Sequence, residues 1–248
     1  MSVFGCNLQQ RMLYYPSPYV PSEKELAAAR LRSWPSRLDY RGFVGTRDIS
    51  PAKGTVVVFH GNAGTADQRA YYAEALAPLG YRVILAEYPG YGSRRGELGE
   101  ASFVADARET IRLASEQYAE PLIVLGESLG CGVAAAAAND PSLGIGALLL
   151  ITPWDTLLAV AKSLYPLLPV GLFLKDKYDS VENLRSFRGK IAVIGAERDE
   201  ILPLRHAVAL YDSLAAPKKM WILKGAGHND WPMAVDENKW REFMEFLH

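Results

Sequence analysis

Pro121-Leu122-Ile123-Val124-Leu125-Gly126-Glu127-Ser128-Leu129-Gly130-Cys131-Gly132 is the stretch on which the reading of this chain turns. It opens as a short apolar run with the character of a buried strand. It passes through Gly126-Glu127-Ser128-Leu129-Gly130 and continues into Val133 and five alanines, Ala134 to Ala138, which suit a closely packed helix. A strand, a G-x-S-x-G turn and a helix in that order are the context of a nucleophile elbow. The spacing has a chemical reason. A serine at the tip of so sharp a turn needs tiny neighbours two residues away on each side, because the helix start passes close to the strand end. The amides at the helix N-terminus then face the place where an oxyanion would form. The five letters alone are weak, since chance supplies them in roughly one chain in twelve of this length. The flanking strand and small-residue helix carry the reading.

Working outward, short strands alternate with helices. Thr55-Val56-Val57-Val58-Phe59 is a β-branched run that ends in His60-Gly61-Asn62-Ala63-Gly64. Residues 66–79 read as helix and 81–87 as strand, followed by Tyr88-Pro89-Gly90-Tyr91-Gly92. Residues 100–118 carry Phe103, Val104, Ala107, Ile111 and Ala114 at helical spacing. After the elbow come strand 146–151, strand 191–195, helix 204–214, strand 219–223 and helix 235–247. This alternation predicts an α/β fold with a mostly parallel central sheet covered by helices on both faces. Residues 1–53 read as an N-terminal arm, a short helix over 23–31 and an edge strand over 38–46. Residues 54–248 read as the main domain, interrupted by a cap insertion at about 156–187.

Composition narrows the function classes. Lys and Arg number 27 against 28 Asp and Glu, a formal net charge of −1, which argues against nucleic acid or an anionic membrane as a partner drawn by overall charge. Cys6 and Cys131 are the only cysteines, too few for a zinc site and poorly placed for a disulfide, so no metal is expected. No apolar run reaches the ~18 residues that span a bilayer. Met1 to Cys6 lacks the basic and apolar regions of a secretory signal, which reads as cytoplasmic. If an apolar leader once preceded Val3-Phe4-Gly5-Cys6, the alternative is a lipid-anchored or exported protein.

Parallel sheets place function in the loops at the carboxyl ends of their strands. Ser128 follows one such strand, Asp199 another (Gly195-Ala196-Glu197-Arg198-Asp199) and His228 a third (Gly225-Ala226-Gly227-His228-Asn229-Asp230). The order Ser, Asp, His is that of an α/β-hydrolase triad. A hydroxyl is a weak nucleophile until a base takes its proton, an imidazole suits that role near neutral pH, and a carboxylate fixes the imidazole tautomer. Asp155 and Glu127 are reserve acids. The backbone amides of Asn62, favoured over Ala63, and Leu129 are the candidate oxyanion donors. His60 reads as a brace for its loop.

On His60-Gly61-Asn62-Ala63-Gly64, Tyr88-Pro89-Gly90-Tyr91-Gly92, Gly126-Glu127-Ser128-Leu129-Gly130, Asp199 and Gly227-His228-Asn229-Asp230, residues 54–248 resemble the α/β-hydrolase superfamily. The likeness is to its bud-emergence-type and depalmitoylase-like branches. The resemblance implies an eight-stranded sheet, the triad Ser128, Asp199 and His228, an oxyanion site at Asn62 and Leu129, and no metal or organic cofactor. The reduced region before residue 54 suggests that the first strands are short or missing.

The insertion is dense in apolar residues broken by Pro166, Pro169 and Gly171. It reads as two short helices capping the serine. Trp154, Leu164, Tyr165, Leu168 and Trp231 are then expected to line an apolar acyl pocket, with membrane contact of the cap as a further reading. The expected function is a serine hydrolase cleaving carboxylic esters or thioesters of small apolar acyl substrates through an acyl-enzyme. Peptidase or amidase action with the same triad, and a non-catalytic binding protein on the same fold, are the alternatives.

Overall fold

Along the central strands successive side chains enter opposite apolar layers. Val57 and Phe59 join one core cluster and Val56 and Val58 the other. Leu122 and Val124 divide from Ile123 and Leu125 in the same way, as do Leu148 and Leu150 from Leu149 and Ile151. With both faces buried there is no polar alternation, which is why these strands appear in the sequence as unbroken apolar runs. Each fully buried Val, Leu or Ile adds about 1.5–3 kcal/mol of transfer free energy.

The computed structural model describes residues 9–248; the lipid-attachment reading of Cys6 and the start of the arm lie outside them. Its main sheet contains β1 (Leu31–Pro35), β2 (Tyr40–Gly45), β3 (Gly54–Phe59), β4 (Tyr81–Ala86), β5 (Leu122–Glu127), β6 (Ile145–Ile151), β7 (Lys190–Ala196) and β8 (Lys218–Leu223). The strand order is β8-β7-β6-β5-β3-β4-β2-β1. Pairing is parallel from β4 through β8, and β2 is antiparallel to both β4 and β1. Helices cover both faces. On one side lie α3 (Glu100–Gln117), α4 (Leu129–Ala138) and α7 (Leu204–Ser213); on the other lie α2 (Ala70–Leu76) and α8 (Glu237–Leu247).

Three expectations are corrected. The first strands are present, and residues 31–45 extend the same sheet, so no boundary falls at residue 53. The helix expected over 23–31 is α1 (Glu23–Ala28), opened by a capping box between Ser22 and Glu25. It stops where Arg30 takes a positive φ of 53°, and Leu31 already belongs to β1. The arm also contributes a parallel two-residue pairing of Tyr15–Pro16 with Ala63–Gly64.

The third correction concerns the cap. Residues 156–187 hold α5 (Leu157–Leu164), a single 3-10 turn (Val170–Leu172) and the four-residue α6 (Ser180–Asn183). Pro166 and Pro169 remove amide donors just after α5, so no second amphipathic helix forms there. A bridge between Thr156 and Asp179 closes the neck of this excursion.

Candidate active site

The turn at Ser128 has the geometry its neighbours dictate. Ser128 stands at φ 52° and ψ −115°, a strained region for a residue with a side chain. It is held there because β5 runs directly into α4. A Cβ on Gly130 would lie 1.9 Å from the Phe59 carbonyl oxygen, and one on Gly126 would lie 2.5 Å from the Gly130 carbonyl oxygen. Both positions must therefore be glycine. The Ser128 N–H donates to the Ile151 carbonyl at 2.9 Å, tying the turn to β6.

Loops after β7 and β8 bring the partners. His228 Nε2 lies 3.0 Å from Ser128 Oγ, and His228 Nδ1 lies 2.7 Å from Asp199 Oδ2. The other Asp199 oxygen accepts the Ile201 and Leu202 N–H groups at 3.0 and 2.6 Å. All three side chains are largely buried. The His228 N–H donates to Glu200 Oε2, and the Gly227 N–H to Asp230 Oδ1, which shapes the histidine loop from within.

The loop after β3 is braced on several sides. The Asn62 side chain donates to the Leu13 carbonyl at 3.0 Å, while the Asn62 carbonyl accepts the Tyr15 N–H at 2.9 Å and the Tyr91 hydroxyl at 2.7 Å. His60 is buried, with Nε2 2.9 Å from Glu87 Oε1, and its carbonyl accepts the Tyr88 hydroxyl at 2.7 Å. Gly61 faces the elbow: a Cβ there would stand 3.7 Å from Ser128 Cβ. Leu129 opens α4, so its N–H is one that no turn of the helix satisfies. Neither that N–H nor the Asn62 N–H donates to a backbone acceptor among the described residues.

Beneath the elbow sits a charged network that spacing does not reveal. Glu127 accepts Arg69 Nη2 at 3.0 Å and the Tyr71 and Tyr72 hydroxyls at 2.8 and 2.9 Å. Burial pushes its carboxyl up, and the Arg69 charge with these hydrogen bonds outweighs that, leaving it below the ordinary carboxylate range. Glu127 is thus committed to Arg69 and does not reach His228.

Asp155, the other reserve acid, is committed elsewhere too. Its Oδ1 lies 2.9 Å from His206 Nδ1, and His206 Nε2 lies 3.1 Å from Ser163 Oγ. This second Ser-His-Asp line ties α5 to α7. Ser163 is helical and donates to the Val160 carbonyl at 2.9 Å, so it has no elbow. No spacing signal marks this line, because its members lie on a loop and two separate helices.

The five expected pocket residues divide between surface and core. Leu164, Tyr165 and Leu168 are exposed, on the segment that Pro166 and Pro169 break after α5. Trp154 is buried beside Tyr178 and donates its indole N–H to the Tyr178 carbonyl at 3.2 Å. Trp231 belongs to an aromatic cluster with Tyr72 and Trp240 in the core of the opposite layer. A cavity of about 340 Å³ lies instead by Arg30, Arg47, Glu74 and Tyr81, away from the elbow.

A family model described as serine aminopeptidase, S33, matches residues 50–170. The uncharacterized protein Rv2307c of Mycobacterium tuberculosis is 33% identical over 237 residues, covering 92% of this chain and 83% of that protein. The lysophosphatidylserine lipase ABHD12 of Danio rerio is 29% identical over 184 residues, which cover 66% of this chain and 48% of the lipase. The Pyrococcus furiosus esterase Pf2001 superposes with a TM-score of 0.70 at 17% identity, covering 94% of this chain and 98% of that one, a likeness of fold. Sheet order, elbow and sequence relatives agree: the chain belongs to the α/β-hydrolase superfamily.

Proposed function

We propose that the protein is a serine hydrolase that cleaves carboxylic esters, thioesters included, of small apolar acyl groups. The observation that carries this reading is the unbroken line from Ser128 Oγ through His228 to Asp199 at a positive-φ turn. In the mechanism, His228 Nε2 takes the Ser128 proton as Oγ attacks the acyl carbon. The Asn62 and Leu129 amides hold the tetrahedral oxyanion, and Asp199 stabilises the imidazolium. His228 then gives its proton to the leaving alcohol or thiol, leaving an acyl-enzyme. A water deprotonated by the same ring attacks that acyl carbon, and the acid leaves as Ser128 regains its proton.

The names of the esterase and lipase relatives support ester cleavage, and the description of the family model favours a peptide bond. Recognition of a substrate amine needs a free acid near the serine. Asp176 is buried on the Tyr14 hydroxyl, Asp179 caps α6, and Glu182 stands 3.6 Å from Arg185. The engagement of Asp176 and Asp179 weighs toward esters. Matched p-nitrophenyl ester and p-nitroanilide substrates separate the two readings. Ser128→Ala should lose about 10⁴-fold or more in kcat on the ester, and a fluorophosphonate probe should label Ser128 in the parent. An unlabelled Ser128 together with an active Ser128→Ala variant would overturn the proposal.

A further inference from the structure

The segment from Leu164 to Phe173 breaks the rule that soluble surfaces scatter their large apolar residues. Within ten positions, Leu164, Tyr165, Leu167, Leu168, Leu172 and Phe173 are all exposed, Leu167 at 95%, Leu172 at 82% and Phe173 at 65%. This is not a loose tail. Leu157 and Val160 of α5 are buried, Leu174 packs against the core after the patch, and Ser163 is hydrogen-bonded to His206. The body of the protein therefore holds both ends of the segment and presents its middle to solvent.

The exposed charges that flank the patch along the chain are basic, while the Glu100 carboxylate beside them is taken up by the Lys177 and Tyr178 N–H groups at 2.6 and 3.0 Å. Lys162 and Lys175 are the only charged residues between 156 and 175, and Lys177 follows; all three are exposed. The arm adds to this rim. Gln9 Oε1 accepts the Lys175 N–H at 2.7 Å, which sets the short helix through residues 9–13, with exposed Arg11 and Met12, beside the patch. Nearby Asp176 is buried and accepts the Tyr14 hydroxyl, and Asp155 is held by His206. An apolar face rimmed by lysine and arginine, with a tyrosine among its apolar residues, fits an interface of acyl chains and anionic headgroups. Among the described residues no helix is long and apolar enough to cross a membrane.

We propose that residues 164–173, with Arg11, Lys162, Lys175 and Lys177, dock the protein on an anionic lipid surface. The excursion leaves from the carboxyl end of β6, the edge of the sheet at which Ser128 also stands, so docking turns that edge toward the bilayer. The overall charge of −1 does not oppose this, because the attraction is local and falls off within a Debye length.

The test is cosedimentation of the whole protein with vesicles of equimolar phosphatidylglycerol and phosphatidylcholine, against vesicles of phosphatidylcholine alone. Binding is expected to the first and to fall at 0.5 M NaCl. Lys175→Gln with Lys177→Gln should weaken it about 25-fold, at roughly fivefold for each cation near the surface. Leu167→Ser with Leu172→Ser and Phe173→Ser should abolish it. These three side chains are already largely in water, so melting temperature and turnover of a soluble short-chain ester should stay at parent values and report that the variant is folded. Because the readout is vesicle binding, it does not depend on the chemistry at Ser128. Failure of the parent to pellet with anionic vesicles overturns the proposal, as does undiminished binding by the triple variant. A parent that sediments as a dimer, does not bind vesicles and becomes monomeric in the triple variant would assign the face to a second copy instead.

Discussion

Asp199→Asn separates the two hydrogen-bonded Ser-His-Asp lines. The Asp199 carboxylate accepts three hydrogen bonds: Oδ1 from the Ile201 and Leu202 N–H groups, and Oδ2 from His228 Nδ1. In the asparagine variant the amide oxygen must face the two backbone donors, because an NH₂ group there would meet two N–H groups head-on. The NH₂ group is then turned to His228 Nδ1, 2.7 Å away, which must become an acceptor. The ring proton moves to Nε2, pointing at Ser128 Oγ, and the base that should receive the serine proton is already occupied. Such a tautomer change lowers kcat by about 10⁴-fold, or ~5.5 kcal/mol of transition-state stabilisation. The fold should survive, since shape and two of the three bonds persist. Asp155→Asn makes the same chemical change at His206 and should cost less than about tenfold, because that ring faces Ser163 and not the elbow. The assay is steady-state hydrolysis of a short-chain p-nitrophenyl ester, with melting temperature as the folding control. Equal losses in the two variants, or a larger one at Asp155, would refute the assignment of the acid.

Other perturbations test the supporting structure. Gly130→Ala drives a methyl to 1.9 Å from the Phe59 carbonyl oxygen and should cost about 3 kcal/mol or more in urea unfolding. Gly132→Ala meets the Tyr178 ring at 2.8 Å, a less severe overlap than at Gly130, and should cost less; the reverse order would contradict the packing described. Arg69→Met leaves Glu127 buried without its counter-charge and should destabilise by about 3–5 kcal/mol at neutral pH. In the parent, Glu127 sits below its ordinary value, so its contribution is present above the unfolded pKa and is lost as pH falls through the folded one. Without Arg69, burial raises the carboxyl instead, so the variant's deficit should shrink as the medium is acidified; a deficit that grows toward acid would oppose this account. Burial pushes the Cys131 thiol well above the usual range, and Sγ lies 3.1 Å from the Gly126 carbonyl oxygen. Iodoacetamide at pH 8 should therefore spare Cys131 in the native protein and alkylate it in urea, as peptide mass mapping would register.

Legibility in the sequence followed the physics of burial. Strands β3, β5, β6 and β7 were readable because both of their faces are apolar, so each stands out as a run of Val, Ile and Leu. β1 was not: Arg32 is exposed, Ser33 is half-buried and Pro35 ends it, a pattern that resembles loop as much as strand. The positions of Ser128, Asp199 and His228 were readable because parallel alternation sends each of these loops to one edge. The ion pair of Arg69 with Glu127 and the line through Asp155, His206 and Ser163 were not, since no motif marks the residues that join these separate elements. Apolar density at 157–174 was visible as composition. Whether it faced the serine or solvent depended on where Pro166 and Pro169 let the chain bend, which only coordinates could tell.

The arm has a consequence for the loop proposed to hold the oxyanion. Leu13 and Tyr15 grip Asn62 across nearly fifty positions of chain, and Ser17 adds a bond to Gly92 in the neighbouring loop. The direction of the Asn62 amide is thus settled when the protein folds, before any substrate arrives. Under the proposed mechanism, catalytic efficiency is then a property that a distant strap can dial down while Ser128, His228 and Asp199 stay in register. A nick in the exposed link between Ser17 and Ser22 would slacken this rein, and on the proposed mechanism every chemical group would remain while the developing charge was held less firmly.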